Sequence, residues 1–207
     1  MLTIALSKGY LLKEAFKLFA KVGIEVDPAE AESRKLQITD KSGQYSFLLL
    51  RPADVPVYVE YGAADLGITG LDVLVEGSFN VTKLLDLRFG RCSLVVAGLK
   101  GRFTKDTLRS DLRVATKFVN SAADYFRNKG LEVELIKLYG SVELAPVQGL
   151  SDVIVDLTAS GKTLKENGLD IIDDVYDATA YLVANSIKVK TKYNDIIKLA
   201  NALKKQL

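Results

Sequence analysis

Short apolar runs alternate along this chain with stretches whose apolar positions recur at helical spacing. Residues 2–6 read as a strand, after which Leu12, Ala15, Phe16, Phe19 and Val22 mark one face of a helix that Gly23 stops. The pattern is then written a second time. Residues 112–116 form the strand, Val119, Ala122, Ala123 and Phe126 line the helix, and Lys129-Gly-Leu-Glu-Val133 echoes Lys21-Val-Gly-Ile-Glu-Val26. Two more pairs extend the likeness: Gly62 to Ile68 with Gly149 to Val155, and Ser93 to Ala97 with Ala180 to Ala184. Asp65 to Asp152 and Ala97 to Ala184 keep one spacing, whereas Gly23 and Gly130 lie about 20 residues further apart. The first copy therefore carries an insertion, and a hairpin fits it: residues 36–39 and 45–50 flank the turn signal Asp40-Lys-Ser-Gly43, with Arg34 before and Arg51 after.

Strands alternating with helices predict an α/β protein with largely parallel sheets. The repeat divides it into two similar lobes, residues 1–90 plus 185–207 and residues 91–184, with ligand expected in a cleft between them at the carboxyl ends of the strands. The last segment places Tyr193, Ile196, Ile197, Ala200, Leu203 and Leu207 on one face among lysines, the pattern of a packing helix with a solvated basic side.

Composition narrows the chemistry. The 207 residues are 48% hydrophobic and 26% charged, which fits a folded protein with its own core. With 28 basic against 26 acidic residues the net charge is +2, too near balance to require nucleic acid or an anionic membrane as partner, so a small molecule is expected. There is no histidine, which excludes Ser-His and Cys-His nucleophile pairs, imidazole acid-base catalysis and histidine-ligated metals. The single cysteine, Cys92, lies in an apolar run and reads as a core thiol. No segment has the length and hydropathy of a signal peptide or membrane span, so a cytoplasmic location is expected.

The most informative stretch runs from Glu143 to Leu164. A buried strand at 153–157 enters a loop of small and hydroxyl residues before a helix. Backbone N–H groups of Ala159, Ser160, Gly161, Lys162 and Thr163 can converge on a phosphate there, and the hydroxyls of Thr158, Ser160 and Thr163 can add hydrogen bonds. Gly161-Lys-Thr163 resembles the end of a nucleotide-triphosphate loop, but that motif needs glycine five positions earlier and Asp156 stands there. A carboxylate at the strand end beside a monophosphate cradle suits the hydroxyls of a sugar phosphate. The plainer alternative makes Asp156 a helix cap and the loop an ordinary turn.

These residues bring out a resemblance to the ATP phosphoribosyltransferases, the family that opens histidine biosynthesis. Glu143, Gly149, Ser151, Ile154, Asp156, Ser160, Gly161, Thr163 and Leu164 meet every element of its signature. The likeness extends through Ala5-Leu-Ser-Lys-Gly9, Ser33-Arg-Lys-Leu36, Asp54-Val-Pro56, Gly62 to Gly67, Leu85-Asp86 and Leu138-Tyr-Gly-Ser141. It implies a fold like that of the type II periplasmic binding proteins, with crossing connections. It also implies a reaction in which N1 of the ATP adenine attacks C1 of phosphoribosyl pyrophosphate with inversion and releases pyrophosphate. Adenine N1 is unprotonated at neutral pH, which agrees with a chain that has no histidine.

The resemblance assigns residues 160–163 to the 5′-phosphate and Asp156 and Glu143 to the ribose, with Thr158, Ala159 and Lys162 in the same loop. Lys8, followed by Gly9, is placed for phosphates; as an alternative it is a solvated lysine at a helix start, where a cation opposes the helix dipole. Arg34 resembles the arginine that acts on departing pyrophosphate, and Arg51 either binds ATP or packs at a strand end. The family commonly has arginine after Ser-Lys-Gly; here Tyr10 follows, so one pyrophosphate contact is missing or comes from Arg34, Arg51 or Lys8. Asp65 and Asp152, repeated at the start of equivalent strands, read as structural caps. Magnesium carried by substrate phosphates is implied, with no metal ligands from the protein. Ending near Leu207, the chain resembles the short form of the family, so an oligomer and a regulatory subunit similar to histidyl-tRNA synthetase are expected. The competing reading is a two-lobe solute-binding or effector-sensing protein without catalysis.

Overall fold

The computed structural model describes residues 1–207 and every side chain except those of residues 31 and 32. In chain order the elements are β1 (Leu2–Ser7), α1 (Tyr10–Ala20), α2 (Pro28–Glu32), β2 (Gln37–Thr39), β3 (Tyr45–Leu50), α3 (Val55–Glu60), β4 (Leu66–Gly70), α4 (Leu71–Gly77) and β5 (Val81–Asp86). There follow β6 (Cys92–Leu99), β7 (Arg113–Thr116), α5 (Val119–Asn128), β8 (Glu134–Lys137), α6 (Leu144–Val147), β9 (Val153–Thr158), α7 (Lys162–Glu166) and β10 (Leu169–Ala178). The chain closes with β11 (Ala180–Asn185), α8 (Lys188–Thr191) and α9 (Tyr193–Lys204).

Two compact units result: Met1–Gly90 with Thr179–Leu207, and Arg91–Ala178. In the first, the sheet order is β2-β3-β1-β4-β11-β5; in the second it is β10-β6-β9-β7-β8. Without β2, the first reads β3-β1-β4-β11-β5 and the second, reversed, β8-β7-β9-β6-β10. Strand types agree as well. β1 is parallel to β3 and β4, β7 is parallel to β8 and β9, and β11 and β6 run antiparallel to β4 and β9. The repeat in sequence is thus a duplicated sheet topology.

The duplication also reaches helix ends. Past α1, Gly23 at φ 79° lets the Ile24 N–H return to the Phe19 carbonyl at 3.0 Å; past α5, Gly130 at φ 70° lets Leu131 reach Phe126 at the same distance. This is the glycine-terminated helix end, and both phenylalanines are buried beneath it.

One boundary differs from the expected 91–184. The chain re-enters the first unit at Thr179. β11 pairs with β4 and β5, and Ala180, Leu182 and Ala184 join Leu66 and Ile68 in the first core. β6 crosses in the other direction, so each copy lends one antiparallel strand to the other's sheet. These are the crossing connections of a type II binding-protein topology.

In the first unit, one sheet face packs on α1 and α9 through Ile4, Leu6, Phe19, Phe47, Ile196 and Leu203. The other face packs on α3 through Ala5, Val55, Val59 and Val183. The second unit has α5 on one face, with Val114, Val153, Val155 and Phe126. On its other face Val142, Ala145 and Leu164 bring the α6 and α7 segments onto Ile154. The inserted hairpin forms as expected, β2 antiparallel to β3. Its turn is held by the buried Asp40 carboxylate, which accepts from the Tyr45 N–H at 2.8 Å and the Ser42 N–H at 3.1 Å. α9 buries Ile196, Leu199, Ala200 and Leu203, while Tyr193 stays exposed. Cys92, at the first position of β6, is only half-buried, because it begins an outer end of the strand.

A polar pin ties the second unit's edge strand to its helix. Asp173 on β10 accepts from the Tyr125 hydroxyl at 2.6 Å and pairs with Lys105 at 2.8 Å and Lys129 at 3.0 Å. Burial would raise its carboxyl, but these three donors hold it well below the usual carboxylate range.

Candidate functional site

Parallel strands collect their carboxyl ends on one edge of each sheet, and the expected site residues lie on those edges. In the first unit, Lys8 follows β1 and its N–H donates to the Leu50 carbonyl at 2.9 Å, which sets it beside Arg51 at the end of β3. The Leu49 N–H donates to the Leu36 carbonyl, so Arg34, two residues before Leu36, precedes β2 at the same end of the sheet. Lys8, Arg34 and Arg51 therefore crown three adjacent strands, all exposed. Among the described side chains none of the three has an ion-pair partner, whereas Lys35 beside Arg34 is paired with Glu30. Gly9, at φ 100° and ψ −144°, takes a backbone conformation that side chains disfavour, and it turns the chain from β1 into α1. Tyr10 is the first residue of α1 and is 64% exposed.

In the second unit, β9 ends in the loop 159–161 and α7 begins at Lys162. Gly161 has φ 70° and is the residue before the helix. Thr158 closes the loop: its Oγ1 accepts from the Gly161 N–H at 2.7 Å. The sequence reading assigned that N–H to a bound phosphate; here the threonine oxygen takes it, because the left-handed Gly161 turns its amide back toward the strand end. The Thr158 hydroxyl keeps its own proton to donate. Ala159, Ser160, Lys162 and Thr163 are exposed around the loop, and Lys162 lies 3.8 Å from Glu166 across the surface of α7. α7 is only five residues long, so any attraction for an anion here would come from the loop rather than from a helix dipole.

Asp156 is half-buried on β9, two positions before the strand end, on the face shared with Ile154. Its Oδ1 accepts from the Leu157 N–H at 2.8 Å, and no N–H of α7 bonds to it, which sets aside the helix-cap alternative. Burial pushes its carboxyl above the usual carboxylate range. The Leu157 N–H opposes this, the charge of Glu143 adds to it, and the Lys117 ammonium opposes it again. Glu143, half-buried just before α6, is near enough for its charge to act on Asp156. Two carboxylates that feel each other's charge, one of them on the strand that enters a hydroxyl-rich loop, suit the neighbouring hydroxyls of a phosphorylated sugar.

Sequence reasoning missed Lys117. Thr116 pairs with Val155, and its Oγ1 donates to the Val155 carbonyl at 2.6 Å and accepts from the Phe118 N–H at 2.8 Å. One step further along both strands, Lys117 stands beside Asp156. A strand ending in lysine immediately before a helix was its only signal, the feature that had picked out Lys8. Asp65 and Asp152 are confirmed as structural: each accepts the N–H at the second position of the neighbouring strand or its start, Thr3 and Arg113.

Among the described residues no cluster of three or more aspartate, glutamate or cysteine side chains could hold a metal by itself. No helix among them is long and apolar enough to cross a membrane.

Comparison with known proteins gives one family. Residues 51–205 match the model of HisG, ATP phosphoribosyltransferase. The chain is 48% identical over 192 residues to the ATP phosphoribosyltransferase of Caldanaerobacter subterraneus subsp. tengcongensis, covering 93% of this chain and 90% of that protein. It is 49% identical over 201 residues to that of Caldicellulosiruptor bescii, covering 95% and 96%. Among solved structures, the ATP phosphoribosyl transferase (HisG:HisZ) complex from Thermotoga maritima superposes with a TM-score of 0.85 at 34% identity, over 99% of this chain and 98% of that one. The periplasmic aliphatic sulphonate binding protein SsuA from Escherichia coli gives 0.62 at 15% identity, over 98% and 70%, a likeness of fold alone. With the Asp156 loop in the second unit and matches of this extent, the chain belongs to the ATP phosphoribosyltransferase family.

Proposed function

We infer that this chain transfers the 5-phosphoribosyl group from phosphoribosyl pyrophosphate to N1 of ATP, releasing pyrophosphate, the first step of histidine biosynthesis. The carrying observation is the pair Asp156 and Glu143 beside the loop 158–163, in a chain that matches the family over nearly its whole length. The solute-binding alternative rests on fold likeness at 15% identity and is not favoured.

In this reading the second unit holds the sugar phosphate. Ser160, Lys162 and Thr163 receive the 5′-phosphate, with Thr158, Ala159 and the left-handed Gly161 shaping the loop, and Asp156 and Glu143 accept from ribose hydroxyls. The first unit supplies cations: Lys8 and Arg51 for phosphates, and Arg34 for the charge that grows on pyrophosphate as its bond to C1 breaks. The attacking nitrogen carries a free lone pair, so the protein's work is alignment of two polyanions and stabilisation of the leaving group. Positive charge developing at C1 lies near Asp156 and Glu143, where it is favoured. Mg2+ held mainly by substrate phosphates would screen their repulsion.

A regulatory subunit similar to histidyl-tRNA synthetase completes the proposal; it is supported by the likeness to a protein solved as a HisG:HisZ complex. Histidine sensitivity then depends on that second protein, within an oligomer. A cytoplasmic location fits substrates that are charged metabolites. The test is pyrophosphate release by the purified chain with Mg2+. Release that needs both ATP and phosphoribosyl pyrophosphate supports the reading; no release even with the regulatory subunit added, or release with either substrate alone, overturns it.

A further inference from the structure

The two sheets provide an internal control for the site. Ile4 pairs with Leu66 in the first unit as Val114 pairs with Val153 in the second. Three residues further along each strand, Ser7 stands beside Thr69 and Lys117 beside Asp156, at equivalent positions. Ser7 and Thr69 are 2% and 0% exposed, and their hydroxyls have no partner among the described residues. This fold therefore forms with a neutral, buried pair at that position. Nothing in the topology asks for the charged pair that the second unit carries.

Lys117 is exposed, its Nζ lying 6.0 Å from the centre of the Phe118 ring, and among the described residues no carboxylate lies within ion-pair distance of it. Its backbone position is nonetheless fixed, because Thr116 is buried and bonded on both sides. A lysine just before the first turn of α5 also opposes that helix's dipole, a placement that folding alone does not favour.

We propose that Lys117 is a positioning residue of the phosphoribosyl site, the cation that allows Asp156 and Glu143 to face one sugar together. The proposal rests on the reaction assigned above. The groups around Asp156 are few. β7 contributes Lys117, the residue before α6 contributes Glu143, the partner on β6 is the apolar Val95, and Lys162 at the start of α7 is turned to Glu166. Burial first and then the charge of Glu143 disfavour ionised Asp156; the Leu157 N–H opposes them, and Lys117 is the side-chain cation that does so too. Ionised, Asp156 accepts from ribose hydroxyls with both oxygens. Protonated, it loses that capacity at one of them.

The experiment compares wild type with Lys117→Met, Lys117→Arg and Asp156→Asn. Carboxyl 13C NMR follows the titration of Asp156, assigned by its absence in Asp156→Asn, and the pH profile of kcat/KM for phosphoribosyl pyrophosphate is measured in parallel. In Lys117→Met both the Asp156 midpoint and the acid limb move to higher pH, kcat/KM falls several-fold at pH values on the wild-type acid limb, and Lys117→Arg restores most of it. Adding Lys117→Met to Asp156→Asn produces little further loss. An unmoved midpoint overturns the proposal, and so does a moved midpoint with an unchanged acid limb; both leave the assigned reaction intact. A wild-type chain that titrates normally but transfers no phosphoribosyl group overturns the reading beneath the proposal.

Discussion

Asp65 and Asp152 do the same work in the two sheets. Asp65 Oδ2 accepts from the Thr3 N–H at 2.9 Å and Asp152 Oδ2 from the Arg113 N–H at 3.0 Å. In return the Asp65 and Asp152 N–H groups donate to the carbonyls of those residues, each at 2.8 Å. The surroundings differ. Asp65 is buried and bonded to Lys192 at 2.8 Å, whereas Asp152 lies 3.6 Å from Arg102 and 3.7 Å from Arg113 at the surface. Asp65→Ala should therefore cost about 2–3 kcal/mol of stability and Asp152→Ala about 1 kcal/mol. Denaturant unfolding checks the order, and the kinetic constants of the folded variants should stay close to wild type.

Gly161 is the next point of leverage. A Cβ there would meet only Ile171, at an ordinary 3.8 Å, so space is not the obstacle; the φ of 70° is. Gly161→Ala forces about 1–2 kcal/mol of backbone strain or a rearranged loop. Either outcome disturbs the Thr158 contact and should raise KM for phosphoribosyl pyrophosphate far more than KM for ATP in steady-state kinetics. An equal rise in both would remove the loop from phosphate binding.

Asp156→Asn should separate function from stability. Losing charge-assisted bonds to ribose hydroxyls lowers kcat/KM roughly 10–100-fold, about 1.5–3 kcal/mol. Stability moves in the other direction. The folded-state carboxyl is raised above its ordinary 3.8, by burial first, so the folded protein holds that proton more firmly than the unfolded chain. The stability this contributes is complete below 3.8 and is lost as pH rises through the folded value. Asparagine has no such loss, so the variant should melt above wild type at neutral pH and lose that advantage in acid. Thermal melts across pH test the sign.

Arg34→Ala should lower kcat more than it raises either KM, since a contact with departing pyrophosphate strengthens in the transition state. A drop of roughly 10–100-fold is expected for one charge-assisted partner. Lysine at this position should restore only part, lacking the planar fork. A variant altered only in KM for ATP would make Arg34 a ground-state contact and pass the leaving-group role to Lys8 or Arg51.

Much of this was legible in the sequence because it is local. The strand runs, the glycine-ended helices at Gly23 and Gly130, the hairpin turn at Asp40 and the Asp156 loop each announce themselves within a dozen residues. What was not legible depends on pairing between distant segments. Residues 180–185 look like the end of the second copy but add to the first sheet, because β4 and β5 supply their partners. Lys117 acquires meaning only when the β7–β9 register sets it beside Asp156. The Thr158 closure depends on a left-handed glycine whose direction the residue types alone do not fix.

The central claim is that ATP itself is the acceptor, through N1 of its adenine. Purified chain, supplied with its regulatory subunit if activity requires it, is incubated with Mg2+, ATP and phosphoribosyl pyrophosphate, and the product is identified by mass, ultraviolet spectrum and NMR. The account predicts a single product, ATP plus one 5-phosphoribosyl group joined through C1 to N1 with inverted configuration, formed with one pyrophosphate for each ATP consumed. ATP recovered intact while phosphoribosyl pyrophosphate is bound or passed to another base would contradict it.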